Sequence, residues 1–129
     1  MSRRRFGISV SSSIAEWLDK LAKRLGVDRS RLVERALESF LHEYAHYLYE
    51  HECKGVMIAV KRNGSGDTAK IIEKYRDIVL SNMHHHIGDL CVDILVVKGS
   101  SKKIAELHSA LTSIKDCIVR YVPIMEQTG

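Results

Sequence analysis

The chain has 129 residues, 45% of them hydrophobic and 28% charged, and a formal net charge of +4. That is enough for one or two small packed domains and too apolar for a disordered tail. No apolar run approaches the roughly 18 residues that span a bilayer, and the basic N-terminus is not followed by the apolar stretch of a signal peptide, so a cytoplasmic, non-membrane protein is expected. Cys53, Cys91 and Cys117 are odd in number and form no CxxC pair, which argues against a disulfide framework or a zinc ribbon. Charge is unevenly placed. Residues 1–35 carry nine Arg or Lys against four Asp or Glu, a bias that suits a polyanionic partner at this end.

In chain order, Arg5 to Val10 alternates polar and apolar residues, which predicts a short strand with Phe6, Ile8 and Val10 on one face. Ser11-Ser12-Ser13 offers helix caps. Ile14, Trp17, Leu18, Leu21 and Leu25 then recur at helical spacing, and Gly26 ends that helix. Asp28 or Ser30 caps a second helix with the stripe Leu32, Val33, Ala36, Leu37, Phe40, Leu41, Tyr44 and Leu48. The polar stretch Tyr49 to Gly55 reads as a junction, giving a first domain over 1–50 and a second over 55–129. In the second, Val56–Val60 predicts a strand, Asn63–Gly66 a loop, and a helix follows with Ile71, Ile72, Tyr75 and Ile78. Val79–Ile87 is extended, Gly88-Asp89 turns the chain, and Cys91–Val97 is a β-branched strand. A helix with Ile104, Leu107, Leu111 and Ile114 and a last strand over Cys117–Ile124 complete a βαββαβ order. The expected class is α+β with a ferredoxin-like second domain.

A lone N-terminal strand has no partner within the first fifty residues, and its backbone groups must be satisfied somewhere. The simplest solution is a homodimer, with two copies of the strand pairing antiparallel and the helices of both copies sharing one core.

These features resemble a known family. The stretches Arg5-Phe6-Gly7-Ile8-Ser9-Val10 and Gly26-Val27-Asp28-Arg29-Ser30 resemble a ribbon-helix-helix DNA-binding domain. Met83-His84-His85-His86-Ile87, Cys91 and Leu95-Val96-Val97-Lys98-Gly99 extend the likeness to the nickel-responsive regulator (NikR) family, which joins that domain to an ACT-type ferredoxin-like domain. The resemblance implies a transcription regulator whose paired strands enter the DNA major groove, which admits a two-stranded ribbon. Strand alternation places Arg5, Gly7 and Ser9 on the face opposite the apolar one. Arg5 would read guanine bidentately and Ser9 a base edge. Gly7 stands where the family has a polar residue and offers only backbone or shape. Ser30 opens the second helix, whose free N–H groups suit a phosphate, and Arg3 and Arg4 would add phosphate or minor-groove contacts. The implied partner is a double-stranded operator with palindromic half-sites, and the implied assembly is a homotetramer through the C-terminal domains. The implied activity is repression of metal-uptake genes.

Nickel sites of that family combine imidazoles with a thiolate in a planar set suited to Ni(II) or Cu(II). Here the pattern is His84-x-His86-x4-Cys91. Strand geometry puts His84 and His86 on one face and His85 on the other. The resemblance therefore implies Ni(2+), or another transition metal, on His84, His86 and Cys91. The chain departs from the family in three ways: the turn before Cys91 is shorter by one residue; Asp77 occupies the place of a His donated by a neighbouring subunit; and Arg31 and Arg35 replace an acidic pair that holds a cation between domains. Asp77 is a harder donor, less selective for nickel.

His42-Glu43-Tyr44-Ala45-His46 matches the zinc-protease motif H-E-x-x-H. On a chain this short, at the end of a DNA-binding unit, a solvated helix face is the better reading. His51, Glu50 and Cys53 nearby offer an accessory metal site. No convergent acid, base and nucleophile are evident, so no catalytic residues are expected and the chain is not an enzyme. Two alternatives keep the DNA binding. In one the second domain senses a small metabolite or only oligomerises; in the other it grips a protein partner, as antitoxins do.

Overall fold

The computed structural model describes residues 2–124. Its backbone falls into two compact units, residues 1–40 and 41–129.

The first unit holds helix α1 (Ser12–Leu25) and most of helix α2 (Arg29–Glu43). The Ser11 hydroxyl caps α1 by accepting from the Ile14 N–H at 3.4 Å, and Gly26 ends it at φ 66° with its N–H on the carbonyls of Ala22 and Lys23. A left-handed φ is available to glycine without a Cβ clash, which is why the helix stops there. Asp28 takes the cap of α2, its carboxylate accepting from the Arg31 N–H at 2.8 Å. Ser30 lies in the first turn. The expected strand over residues 5–10 forms no ladder within one chain. Phe6, Ile8, Val10, Ile14, Trp17, Leu21 and Leu25 are all exposed, so the apolar face of this unit stands open.

The apolar stripe predicts a second helix out to Leu48; α2 ends at Glu43, and a short 3-10 turn, Ala45–Tyr47, follows. The end of α2, from Leu41 on, thus belongs to the second compact unit. Two contacts hold it there. The Glu43 carboxylate accepts from Arg120 at 2.8–3.1 Å and from the Tyr121 N–H at 3.2 Å. His46 Nε2 sits 2.8 Å from His108 Nδ1. Both tie the end of α2 into the second unit, across more than sixty residues of sequence.

That unit is β1 (Glu52–Arg62), α3 (Thr68–Lys74), β2 (Val79–Ile87), β3 (Leu90–Ser100), α4 (Ser101–Thr112) and β4 (Ile118–Pro123). This is the βαββαβ order expected. All three strand pairings are antiparallel, and the sheet runs β2-β3-β1-β4. Burial alternates strictly along β1 and β3: residues 53, 55, 57, 59 and 61, and 91, 93, 95 and 97, are buried, with half-buried residues between them. A two-residue period is what a sheet covered on one face produces. Met57, Leu95, Val97 and the α4 residues Ile104, Leu107 and Leu111 are all 0% exposed and form the core. The other face presents Val56, Ile58, Val92, Ile94 and Val96, all half-buried, and the exposed Ile118 and Val122. At Gly55 the backbone approach is obligatory, since a Cβ there would lie 2.4 Å from the Val122 carbonyl oxygen.

Candidate metal centre and DNA-facing arm

The β2–β3 hairpin brings the donors together. Its turn is two residues, Gly88-Asp89, closed by the pair Ile87↔Leu90, with Gly88 at φ 62°. Glycine at the first central position is what the II′ hairpin turn takes. From that turn the register follows: His86 opposes Cys91 and His84 opposes Asp93. Because strand side chains alternate, His84, His86, Cys91 and Asp93 share one face, and His85 goes to the other.

The ligand atoms of His84, His86 and Cys91 all lie within 4.8 Å of one another. His84 Nε2 is 3.3 Å from His86 Nε2, and Cys91 Sγ is 3.6 Å from His86 Nδ1. Behind them is a supporting layer. Asp93 is 2% exposed; its Oδ1 lies 2.8 Å from His84 Nδ1 and its Oδ2 accepts from the Thr68 hydroxyl at 3.0 Å. An Nδ1–H donated to that carboxylate leaves His84 Nε2 with its lone pair toward the cluster, the arrangement typical of metal-binding imidazoles. The Cys91 thiol donates to Asn63 Oδ1 at 2.6 Å. A half-turn of that amide would present its NH2 to a thiolate instead. Cys91 is buried while the two imidazoles are exposed, so a further donor can reach the cluster from outside the chain. Two nitrogens and one sulfur suit a borderline-soft divalent transition ion.

Asp77 does not join this group within one chain. It lies against the ammonium of Lys103, which holds its carboxyl below the usual range. Asp93, Thr68 and Asn63 were missed by sequence reasoning, which gave Asp93 no role. The available signal was a carboxylate two residues beyond Cys91, on the core-facing side of an otherwise apolar strand.

The protease-like motif is dismantled by the fold. The helix ends at Glu43, leaving His46 on the following turn. Burial would raise the Glu43 pKa, but the Arg120 guanidinium and the Tyr121 N–H outweigh it and hold the carboxylate below its usual range. A base so occupied cannot activate water. Glu43 is also buried rather than part of a solvated helix face.

In the first unit, Arg3, Arg4, Arg5, Gly7, Ser9 and Ser30 are all exposed. Arg3 pairs with Glu34 at 3.2 Å, both side chains largely in solvent, a contact weak enough to exchange for a phosphate. Nothing lies within 4 Å of the space a Cβ on Gly7 would fill. Among the described residues no helix is long and apolar enough to cross a membrane.

Comparison with known proteins agrees with both halves. Residues 2–45 match the ribbon-helix-helix domain and residues 45–122 match the NikR C terminal nickel binding domain. A protein of Pyrococcus horikoshii is 28% identical over 117 residues, covering 86% of this chain and 85% of its own length. One of Methanocaldococcus jannaschii is 28% identical over 118 residues (86% and 84%), and one of Saccharolobus islandicus 27% over 127 (89% and 88%). All three are provisionally named nickel-responsive regulators. The uncharacterized protein TM1266 of Thermotoga maritima superposes with a TM-score of 0.55 at 15% identity, over 58% of this chain and all of the other, a likeness of fold alone. With the nickel-binding domain matched over residues 45–122, more than half of the chain, and a ribbon-helix-helix domain ahead of it, the chain belongs to the NikR family and is a dimerising, DNA-binding, metal-responsive transcription regulator rather than an enzyme.

Proposed function

We propose that the protein is a cytoplasmic, nickel-responsive repressor of metal-uptake genes that works as a homotetramer. The observation that carries this reading is the group of His84, His86 and Cys91 with the buried Asp93 carboxylate fixing the His84 tautomer. Nickel bound there would supply a divalent charge that ties the β2–β3 hairpin to a donor from outside the chain. His84 and His86 would bind through neutral imidazole and Cys91 as thiolate. Asp77 of a neighbouring copy is the candidate fourth donor, and it must leave Lys103 to serve. The open apolar face of the sheet, with Ile58, Ile94 and Val122, suits packing between C-terminal, ACT-type domains. The N-terminal strands pair across a two-fold axis and place Arg5, Gly7 and Ser9 against bases of palindromic half-sites, with Arg3, Arg4 and the Ser30 helix end on phosphates. Metal can shift DNA affinity only by binding one arrangement of the assembly better than another.

Nickel titration of the wild type beside His84→Ala and Cys91→Ala tests this. Tight stoichiometric binding with a thiolate-to-nickel charge-transfer band, lost in both variants, is the expected result. Binding that survives both changes would overturn the site. Arg5→Ala should weaken specific DNA binding by roughly 1–3 kcal/mol; unchanged discrimination between operator and random DNA would remove the ribbon from the interface. The short α3 and the Asp77–Lys103 pair favour one rival, a second domain that senses a metabolite or only oligomerises. A wild type that binds no nickel would select it.

A further inference from the structure

The outer support of Cys91 comes from the loop that follows β1. Lys61 is the cross-strand partner of Cys91, and the ladder ends at the next pair, Arg62↔Leu90. Strand alternation puts Asn63 on the same face as Lys61, at the diagonal spacing from Cys91 that a side chain can bridge. It does bridge it, since Asn63 Oδ1 accepts from the Cys91 thiol at 2.6 Å.

Backbone and charge contacts fix Asn63 there. Its N–H donates to the Asp89 carbonyl at 2.9 Å, and the neighbouring Arg62 guanidinium meets the Asp89 carboxylate at 2.9 Å. The loop is thereby fastened to the tip of the hairpin that carries the donors. The chain then turns, with the Ser65 N–H and hydroxyl both on the Arg62 carbonyl, at 3.2 and 2.9 Å, and Gly64 at φ 81°, where a type II turn takes glycine. At the start of α3, Thr68 holds Asp93. One connection thus supports the sulfur directly and His84 through Asp93. Asn63 is itself exposed, so core packing does not call for an amide at this position.

The residue type matters because the sulfur has two states. A thiol donates and needs an acceptor. A thiolate bound to an ion has no hydrogen to give, and an oxygen held 2.6 Å away would repel it. A carboxamide serves both states, with oxygen on one side and NH2 on the other, by rotating about one bond.

We propose that Asn63 is a positioning residue of the metal site: it holds the Cys91 sulfur in both states and, by donating to the thiolate, sets how strongly that sulfur gives electron density to the ion. Hydrogen bonds around a cysteine sulfur tune metal centres in this way. The inference rests on the reading of His84, His86 and Cys91 as nickel donors.

Asn63→Asp is the sharpest test, because aspartate has the same size and suits turns equally well but can only accept when ionised. In the full chain, nickel affinity measured by chelator competition should fall about 10- to 100-fold for Asn63→Asp. It should fall less for Asn63→Ala, which withdraws the donor without adding a charge. In Asn63→Ala the thiolate-to-nickel band should also move to longer wavelength, since the sulfur lone pairs lie higher without the hydrogen bond. Thermal unfolding of the metal-free variants should match the wild type, which separates these effects from a loss of fold. A turn-forming role alone would leave Asn63→Asp at wild-type affinity. That result, or an unmoved band in Asn63→Ala, would overturn the proposal and leave the nickel reading standing. A wild type without the band would end both.

Discussion

The two units of this chain solve the burial problem in opposite ways. Among the described residues from Leu41 on, six aliphatic or thioether side chains of the core reach 0% exposure within a single copy. Among the described residues up to Phe40, Ala22 at 7% and Leu32 at 8% are the buried apolar residues, while Trp17 is 76% and Phe6 72% exposed. Similar amphipathic helices therefore end differently. One set is closed over by its own sheet. The other waits for a second copy, as dimerisation of the ribbon-helix-helix domain requires. An apolar stripe says that a face will be buried; it does not say by which chain.

Substitutions should separate the two regimes. Leu107→Ala, in the self-contained core, should cost roughly 2–5 kcal/mol, with an effect independent of protein concentration in chemical unfolding. In the first unit the unfolding midpoint itself should fall on dilution, because its core is shared between copies, and Leu21→Ala should make the pair dissociate at a higher protein concentration. Equal concentration dependence for the two would erase the contrast.

Next in size is the tie between Glu43 and Arg120. Glu43 titrates below its ordinary value when folded, so its contribution is complete above the unfolded value near 4.5 and is lost as pH falls through the folded one. Arg120→Met leaves a buried carboxylate without its guanidinium and should cost about 1–3 kcal/mol at pH 7, at the lower end because Arg120 is itself largely exposed. The cost should shrink toward pH 4 as Glu43 protonates. Urea midpoints at both pH values check this, and a penalty that grows in acid would contradict it.

Asp93→Asn should lower nickel affinity by about 10- to 100-fold, by releasing the His84 tautomer. Chelator competition reads that change, and unaltered affinity would make Asp93 a core residue only. The smallest effect belongs to Arg3→Ala. It should weaken operator and random DNA alike and flatten the salt dependence by about one unit of slope, with no measurable change in stability from loss of the exposed Glu34 pair.

Much of this architecture was legible because its signals are local. Gly26 and Gly88 mark a helix end and a hairpin turn, Ser11 and Asp28 mark caps, and the alternation in β3 gives its buried face. The close approach of His84, His86 and Cys91 needed only strand period and turn length. What escaped depends on distant partners. α2 stops at Glu43 because of residues 77 and 78 positions away, and His46 is drawn inward by a histidine 62 residues on. Asp93 acquires its role only through partners on two other elements, His84 on β2 and Thr68 on α3. The strand expected over residues 5–10 needs a second chain before it can be a strand.

The two-residue turn at Gly88-Asp89 has one further consequence. It works as a vernier: His86 meets Cys91 and His84 meets Asp93 because the loop has that length and no other. Slipping β2 by one position exchanges the imidazoles offered to the thiol, withdrawing His84 and His86 together and presenting His85 in their place. Three consecutive histidines thus make the hairpin tolerant of drift, since an insertion or deletion at its tip reduces the donor set without emptying it. A lineage could pass through such an intermediate and restore a full set by a second change elsewhere, so loop length and donor number can evolve one step at a time.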